Sequence, residues 1–500
     1  MTLHHLTARL NDILCAANLL IWDSRTQMPP GGAATRGQQI ATLKGLAREL
    51  ILSTEMRRAC DVAVRAAEDL PDAHPDAVAA RAVAAAIAHH DRIPAALLQA
   101  QAESATVAQA AWAEARAASD FASFRPHLER TVDLARQQAD ALGYDAHPYD
   151  AMLPTYEPGE TAASLAALFD RLRDGLRPIY QAALARPAPR SDFLFRDYPQ
   201  DVQRAFCAEL APVLGYDLAR GRLDAAVHPF EISFTRTDVR ITTRFNRAYL
   251  PASIFGTAHE VGHALYEQGI DPALTRTAHA TDMIGLYAVG GTSFGAHESQ
   301  SRLLEMHVAR APAFWAQHFD RLARHFPDQL RDVTAEEFAA AVNRVAPGFI
   351  RVEADELTYD FHIMLRVRLE MALMDGSLRV ADLPEAWNAA IASDLGLTVP
   401  DDARGCLQDI HWSTGYVGSF PTYTIGNIMA AQIMDHLRRD QPEVTQAAEA
   451  GNLAPLLEAL RAGVWRHGRS RSRDDILRGM TGKALDIAPY LGHLHRRFAA

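Results

Sequence analysis

The sequence predicts an almost entirely α-helical protein that carries one small antiparallel β-sheet. Residues 76–118 are rich in alanine and contain few β-branched residues and no cluster of turn-forming residues, which favours helix. Other stretches place apolar residues three and four positions apart, as an amphipathic helix does; they are residues 161–185, 334–346, 353–374 and 425–439. Helices are therefore expected along most of the chain.

Two short segments break this helical pattern. Residues 228–234 (HPFEISF) and 238–245 (DVRITTRF) are rich in Ile, Phe and Thr, partly alternate between apolar and polar, and are separated by a few polar residues. That pattern is typical of two strands joined by a short turn. We expect these strands to pair antiparallel.

The chain is expected to form a single domain over residues 1–500. At about 150 residues per domain, its length would accommodate about three domains. However, the sequence contains no Gly/Ser-rich linker, no low-complexity tract and no long internal repeat. Its one proline-rich break, at residues 186–192, has the length of a loop.

Composition excludes several classes of function. The 50 basic and 61 acidic side chains give a net charge of −11, the wrong sign for a nucleic-acid partner. No apolar run reaches about 18 residues, so no membrane span is expected, and the first residues do not resemble a signal peptide. Four widely spaced cysteines without a CxxC pair do not make a disulfide framework. We expect a cytoplasmic protein.

The segment from His259 to His263 is an HExxH motif, for which the composition predicts only about 0.05 copies by chance. On a helix, the two histidines lie about 40° apart, to one side of an apolar stripe. That stripe consists of Ile254, Ala258, Val261 and Leu265. Two imidazoles one turn apart can share a metal ion, while Glu260 is offset enough to reach a water molecule.

The alternative interpretation is the solvated polar face of an ordinary amphipathic helix. Gly256, Gly262 and Tyr266 argue against it, because they provide no charged face toward solvent. The metal hypothesis is therefore the stronger one.

A catalytic zinc site needs a third protein ligand and one open position. A metzincin would place Gly and His three and six residues after His263, where this chain has Tyr266 and Gly269, so that class is excluded. A glutamate on a following helix is the remaining option. Glu298 and Glu305 are both candidates, and spacing does not choose between them.

Six ordered motifs resemble those of the carboxypeptidase Taq family of metallocarboxypeptidases. They are HPF at 228–230, DxRxT at 238–242, HExxH at 259–263, HESQ at 297–300, IRxxAD at 350–355 and GxxQDxHW at 405–412. Further matches are Trp22-Asp23, residues 28–32, 148–150, 156–158 and 420–426, so the resemblance covers nearly the whole chain.

The resemblance implies that His259, His263 and Glu298 bind the metal and that Glu260 is the general base. Such a site, with two neutral imidazoles and one carboxylate, leaves a zinc ion with a positive charge that can polarise a carbonyl group. Cobalt can replace zinc in sites of this kind.

A carboxypeptidase must also recognise the terminal carboxylate of its substrate, and arginine suits this by bidentate pairing. Arg351 of the IRxxAD motif is the first candidate, with His411 and Tyr423 as its neighbours in the family's groove. Further substrate-binding candidates are His228, Asp238 and Arg240, of which Arg240 has an equally good structural interpretation as a partner of Asp238. Asp355, Asp409 and Trp412 are expected to be packing or supporting residues.

The resemblance also implies a two-lobed helical fold with a deep groove, zinc at its floor beside the small sheet, and a homodimer. The implied activity is release of single C-terminal residues from peptides. Two rivals are a helical zinc oligopeptidase or dipeptidase and an inactive peptide-binding homologue, although every chemical position is intact.

Two departures from the family pattern matter. The stretch from His263 to Glu298 is about nine residues longer than expected for the family, and the extra residues are expected within 271–295, in a loop near the site. Leu304 and Met306 replace the family's usual tryptophan and asparagine.

Overall fold

A computed structural model describes residues 1–499 of the chain. Within these residues there are nineteen α-helices and three β-strands, so the predicted fold class is confirmed. The helices are α1 (Leu3–Thr26), α2 (Ala33–Leu52), α3 (Thr54–Ala66), α4 (Pro75–Arg92), α5 (Ala95–Ala118), α6 (Phe121–Leu142), α7 (Ala162–Leu184), α8 (Gln200–Val213), α9 (Pro251–Gly269), α10 (Phe294–Arg302), α11 (Pro312–His325), α12 (Ala335–Val342), α13 (Tyr359–Asp375), α14 (Leu383–Leu395), α15 (Pro421–Asp440), α16 (Pro442–Glu449), α17 (Ala454–Gly463), α18 (Arg473–Thr481) and α19 (Ala488–Phe498). The strands are β1 (Leu223–Ala225), β2 (Glu231–Thr235) and β3 (Asp238–Thr243).

The chain divides into two compact units, each built from separated segments. In the described part of the chain, the first unit consists of residues 1–90, 189–343 and 426–489, and the second of residues 91–188, 344–425 and 490–499. Within the described residues, every helix falls short of the length or apolar character needed to cross a membrane.

The alanine-rich stretch 76–118 forms two helices rather than one. Helix α4 ends at Arg92 and α5 begins at Ala95, with Pro94 between them. Proline lacks a backbone N–H and disfavours helical geometry in the residue before it, which favours a break between the two helices at this point.

The small sheet has three strands in the order β1-β3-β2. The predicted antiparallel pair is present as β2 and β3, with Ile232 opposite Arg240. The additional strand β1 runs parallel to β3 and pairs Leu223 with Ile241. The predicted antiparallel pairing is therefore confirmed, but the sheet as a whole is mixed. Strand β1 was not predicted, because three residues are too few to show an alternating pattern.

The core of the first unit surrounds α9 and β3. Ile254, Ala258 and Val261 of the predicted apolar stripe are fully buried beside Val239 and Ile241. Burying an isoleucine or valine side chain contributes about 1.5–3 kcal/mol. In the second unit, buried residues of α6, α7 and α13 form the interior, including Leu128, Leu165, Leu172 and Leu365.

The long connection between α9 and α10 is held against the N-terminal helix. The side-chain amide of Asn11 donates to the carbonyl of Ala280, and that of Asn18 donates to the carbonyl of Ala288. Within this connection Asp282 and Tyr287 form an isolated antiparallel bridge. The segment predicted to be a loop thus has defined structure of its own.

Candidate active site

Helix α9 carries the HExxH motif through the core of the first unit. Its first residue is Pro251, a position where proline costs no helical hydrogen bond. Thr243, at the end of β3, donates from its hydroxyl to the carbonyl of Ser253 and joins the sheet to the helix. Tyr266 is fully buried, which agrees with the absence of a solvated face inferred from the sequence.

Helix α10 brings Glu298 to this motif. The side chain of Ser293 caps the helix by accepting from the backbone N–H of Ala296. The two helices approach closely at Gly262, where an added Cβ would lie 2.4 Å from the carbonyl oxygen of Gln300 and 2.5 Å from Cα of Ser301. These are backbone atoms that cannot rotate away, so only glycine fits between the two histidines at this position.

Gly426, on α15, likewise leaves room for a close neighbour, here the side chain of Glu298. An added Cβ at Gly426 would lie 2.7 Å from Cγ of Glu298 and 2.9 Å from its Cβ. The side chain of Glu298 therefore passes directly over the backbone of α15. Because the space is closed on that side, Glu298 has little freedom to turn away from α9.

Three side chains converge where α9 and α10 meet. His259, His263 and Glu298 each offer one ligand atom, and these atoms lie within 4.8 Å of one another. Oε2 of Glu298 is 3.6 Å from Nε2 of His259 and 3.3 Å from Nε2 of His263. Ligand atoms of a tetrahedral zinc site with bonds of about 2.0–2.1 Å are about 3.4 Å apart. The donor set and its spacing fit a zinc ion.

The charges of the site favour a cation. Burial lowers the pKa of His263 to about 3, and His297 acts in the same direction. Burial acts on His259 as well, but the carboxylates of Glu298 and Glu305 outweigh it and raise its pKa to about 9. Against the effect of burial, His259 and His263 lower the pKa of Glu298 to about 2. Glu298 is therefore ionised at neutral pH, as a metal ligand must be.

Each histidine is oriented by a different neighbour. Nδ1 of His259 lies 3.0 Å from Oε2 of Glu305. The ring of His263 stacks on that of His297, with centroids 4.6 Å apart and planes inclined by 16°. His297 in turn lies 3.2 Å from the carboxylate of Glu267. Glu305, one of the two candidate ligands from the sequence, thus faces the opposite ring nitrogen of His259 from Glu298.

Glu260 is a buried carboxyl beside the three converging side chains. Burial raises its pKa to about 8, while His259 opposes the rise and Glu298 adds to it. The backbone N–H of Glu231 approaches the carboxylate. Its Oε2 is buried and accepts no hydrogen bond from the described part of the chain. One oxygen atom is therefore available to hydrogen-bond to another molecule.

In the second unit, Arg351 lies in a buried cluster with the other predicted substrate-binding residues of that unit. Its Nε donates to Asp409 at 3.0 Å and its Nη1 to the hydroxyl of Tyr359 at 3.1 Å. The guanidinium also lies 5.1 Å from the ring centroid of Tyr423. Nε2 of His411 is 3.4 Å from the Tyr423 hydroxyl. Arg351, His411 and Tyr423 are therefore brought together.

The three remaining substrate-binding candidates lie around the small sheet. Asp238 accepts two hydrogen bonds from Arg240, both 2.9 Å long. The Arg240 guanidinium also lies 4.4 Å from the ring centroid of Trp22. These contacts match the structural interpretation of Arg240, whereas His228 is exposed on the segment before β2. Their roles in substrate binding stay predictions.

The residues expected to be supporting ones have defined contacts in the second unit. Asp355 accepts from the backbone N–H groups of Leu357 and Thr358, just before α13 begins. Trp412 donates from Nε1 to the carboxylate of Glu370 at 2.9 Å. Both side chains therefore stabilise the surroundings of the Arg351 cluster.

Sequence reasoning gave Gly262 and Gly426 no packing role, and it did not single out Glu267. The two glycines carry no chemistry of their own, so only the close approach of the helices reveals them. Glu267 lies four residues after His263 on α9, and it accepts from the backbone N–H groups of Gly290 and Gly291 at 3.0 Å. Its i+4 spacing on the motif helix was a signal that could have been used.

Comparison with known proteins agrees with these motifs. A family model described as carboxypeptidase Taq (M32) metallopeptidase matches residues 2–498. The chain is 38% identical over 497 residues to thermostable carboxypeptidase 1 of Thermus thermophilus, covering 96% of this chain and 94% of that protein. It is 35% identical over 495 residues to carboxypeptidase 1 of Bacillus subtilis, covering 99% and 97%.

A solved structure shares the fold. The crystal structure of an M32 carboxypeptidase from Deinococcus radiodurans R1 superposes with a TM-score of 0.93 at 37% identity, covering 99% of this chain and 98% of that one. The family resemblance predicted from the motifs is thereby confirmed. Since the family model and these relatives cover nearly all of the chain, it belongs to the carboxypeptidase Taq (M32) family of metallopeptidases and is a metal-dependent carboxypeptidase.

Proposed function

We propose that the metal is one zinc ion per chain, held by His259, His263 and Glu298. The convergence of two imidazole nitrogens and one carboxylate oxygen on a common point supports this assignment. A zinc ion bound there would polarise the scissile carbonyl and acidify water. Cobalt, which accepts the same nitrogen and oxygen donors, is expected to substitute.

Glu260 is the general base in this proposal. Its unpartnered Oε2 would accept a proton from the attacking water and later deliver that proton to the nitrogen of the leaving amino acid. Burial of the carboxyl group excludes competing bulk water from this transfer.

We further propose that Arg351 binds the C-terminal carboxylate of the peptide, with His411 and Tyr423 as neighbours. A buried guanidinium recognises a carboxylate through charge-assisted hydrogen bonds. Asp409 and Tyr359 fix the position of the Arg351 guanidinium, so its side chain loses little conformational entropy when a ligand binds. His228, Asp238 and Arg240 remain candidates for contacts with more distant parts of the peptide.

A pair of peptides tests the proposed specificity. We expect a peptide with a free C-terminus to lose one residue at a time, and the same peptide with an amidated C-terminus to be spared. Mass spectrometry of timed samples, with and without a chelator, reports the cleavage position and the metal dependence together. Internal cleavage, or equal cleavage of both peptides, would instead favour an oligopeptidase.

Replacing Arg351 by alanine should lower kcat/KM for a free-acid peptide by about 10- to 100-fold, the cost of losing a charged hydrogen-bonded partner. The difference in kcat/KM between the free-acid peptide and the amidated peptide should become smaller as well. Arg351→Lys keeps a cation beside Asp409 but loses the planar guanidinium that can pair with a carboxylate through two hydrogen bonds. We expect it to be as stable as the wild type while its kcat/KM stays low. The matched control is Arg379→Ala, an exposed arginine paired with Asp382 in the same unit. Unchanged C-terminal trimming in Arg351→Ala would remove this residue from substrate recognition.

We propose that the protein is a cytoplasmic homodimer acting on peptides. The family resemblance supports the dimer. The four cysteines are all free thiols, which suits a reducing compartment.

A further inference from the structure

The two ring nitrogens of His259 face two different carboxylates. Nε2 lies 3.6 Å from Oε2 of Glu298, the proposed metal ligand. Nδ1 lies 3.0 Å from Oε2 of Glu305, and the side chain of Glu305 is only 9% exposed. His259 therefore stands between the proposed metal position and a buried carboxylate.

This contact selects one tautomer of His259. An ionised carboxylate has no hydrogen to donate, so Nδ1 must carry the proton that is shared with Glu305. In the neutral ring the lone pair is then on Nε2, directed toward Glu298 and His263. Only this tautomer can bind a metal ion through Nε2.

Two arginines hold the Glu305 carboxylate in place. Arg302 donates from Nη1 to Oε2 at 3.1 Å, and Arg310 donates from Nε and Nη2 to Oε1 at 3.2 and 3.1 Å. Both oxygens of Glu305 are thus occupied by charged donors, which keeps the carboxylate ionised and prevents it from turning toward the metal position.

The arginines are themselves fixed by neighbours in the same unit. Arg302 donates from Nε to Oδ1 of Asn427 at 2.5 Å. Arg310 donates from Nη1 to the carbonyl of Val342 at 2.6 Å, and its guanidinium lies 3.9 Å from the ring centroid of Phe255. The orientation of Glu305 is therefore set by three helices besides its own segment, because these partners belong to α9, α12 and α15.

The backbone at Glu305 is also unusual. Helix α10 ends at Arg302 and continues as a π-helical segment, Leu303–Ala309. Such wider turns are rare and occur frequently at functional sites. Here the segment carries the carboxylate that contacts His259.

We propose that Glu305 is a positioning residue that fixes the ring orientation and tautomer of His259, and that Arg302 and Arg310 fix Glu305 in turn. This inference rests on the proposed role of His259 as a metal ligand and adds Glu305 as the residue that orients this ligand. The acidic partner also raises the basicity of the imidazole and strengthens its bond to a metal ion.

Zinc binding to the apo-protein tests the proposal without any peptide. Competition with a chromogenic chelator gives the Kd for the wild type, Glu305→Ala and Glu305→Gln. We expect Glu305→Ala to weaken zinc binding about 10- to 100-fold, the usual effect of losing such a partner. Glu305→Gln keeps the shape but not the charge, and should weaken it by a smaller factor. At saturating zinc, the KM for a free-acid peptide should be unchanged.

Three comparisons make the result specific. Glu209→Ala removes another histidine–glutamate contact of the same unit, to His325 at 3.2 Å, and should leave the zinc Kd unchanged. In a His259→Ala background, Glu305→Ala should weaken binding no further, because Glu305 acts through His259. Glu298→Ala should cost more affinity than Glu305→Ala.

The outcomes separate this inference from the proposed metal site. If His259→Ala leaves the zinc Kd unchanged, the proposed site itself is wrong. If His259→Ala weakens binding but both Glu305 variants bind zinc like the wild type, the site stands and the role of Glu305 is overturned. If Glu305→Ala loses as much zinc affinity as Glu298→Ala, Glu305 is a direct metal ligand, which also overturns the proposal. Should Glu305→Ala fail to fold, Glu305→Gln decides.

Discussion

Replacing Glu260 by glutamine should abolish most peptide hydrolysis while leaving zinc bound. Glutamine preserves the size of the side chain and its contact with the backbone N–H of Glu231, but it cannot accept a proton. Removing a positioned general base typically lowers the rate about 10²- to 10⁴-fold. Since the proposed ligand atoms belong to His259, His263 and Glu298, the metal content should stay at one zinc per chain.

Two measurements on the same preparation decide this prediction. Zinc is quantified by atomic spectroscopy, and kcat is measured with a free-acid peptide at saturating concentration. Glu260→Asp serves as the comparison, because it keeps a carboxylate one methylene further away and should fall between the wild type and Glu260→Gln. A Glu260→Gln enzyme with nearly normal kcat and full zinc occupancy would exclude Glu260 as the base; loss of zinc would assign it a structural role instead.

The local part of the fold was predictable because helices and hairpins leave periodic patterns. The antiparallel pair β2–β3 and the helix carrying HExxH follow from spacings of two and three to four residues. Strand β1 did not, because it pairs in parallel with a strand more than ten residues away and has only three residues. Helix α13 begins at Tyr359 rather than near residue 353, because Asp355 accepts from the backbone N–H groups of Leu357 and Thr358 and holds the chain in a turn before the helix.

The candidate site was predictable where its geometry lies within one helix. The i, i+4 spacing alone places His259 and His263 side by side on α9. The choice between Glu298 and Glu305 was different, because residues seven apart in an α-helix lie within about 20° of the same face. The π-helical segment that begins at Leu303 changes the direction of Glu305, and no spacing rule reveals it.

The second large effect expected concerns stability. Asp409 is the shared partner of two buried arginines in the second unit. Its Oδ1 accepts from Nε of Arg351 at 3.0 Å, and its Oδ2 accepts from Nε of Arg366 at 2.6 Å. Arg366 is completely buried, and burial lowers the pKa of its guanidinium to about 10 even though Asp409 opposes this. A carboxylate between two desolvated cations is therefore required to compensate their charge.

Asp409→Asn should lower the free energy of unfolding by about 3–5 kcal/mol, because it leaves buried charge uncompensated. Denaturant unfolding gives the overall value, and hydrogen exchange of α13, which contains Arg366, localises the loss to this unit. The matched control is Asp382→Asn, which removes a carboxylate from the two-contact pair with Arg379 at 2.7 and 2.9 Å, on the surface of the same unit. Water replaces the lost contact there, so no comparable change is expected.

The same carboxylate predicts how stability depends on pH. Although burial acts to raise it, Arg366 and Arg351 hold the pKa of Asp409 well below its usual range. Its stabilising contribution is therefore fully present above the unfolded-state pKa of about 3.9 and is lost progressively as the pH falls toward the folded-state value. The wild type should lose stability below about pH 5 more steeply than Asp409→Asn, whose amide does not titrate. Parallel acid profiles for the two proteins, or full stability in Asp409→Asn, would show that Arg351 and Arg366 are compensated by other groups.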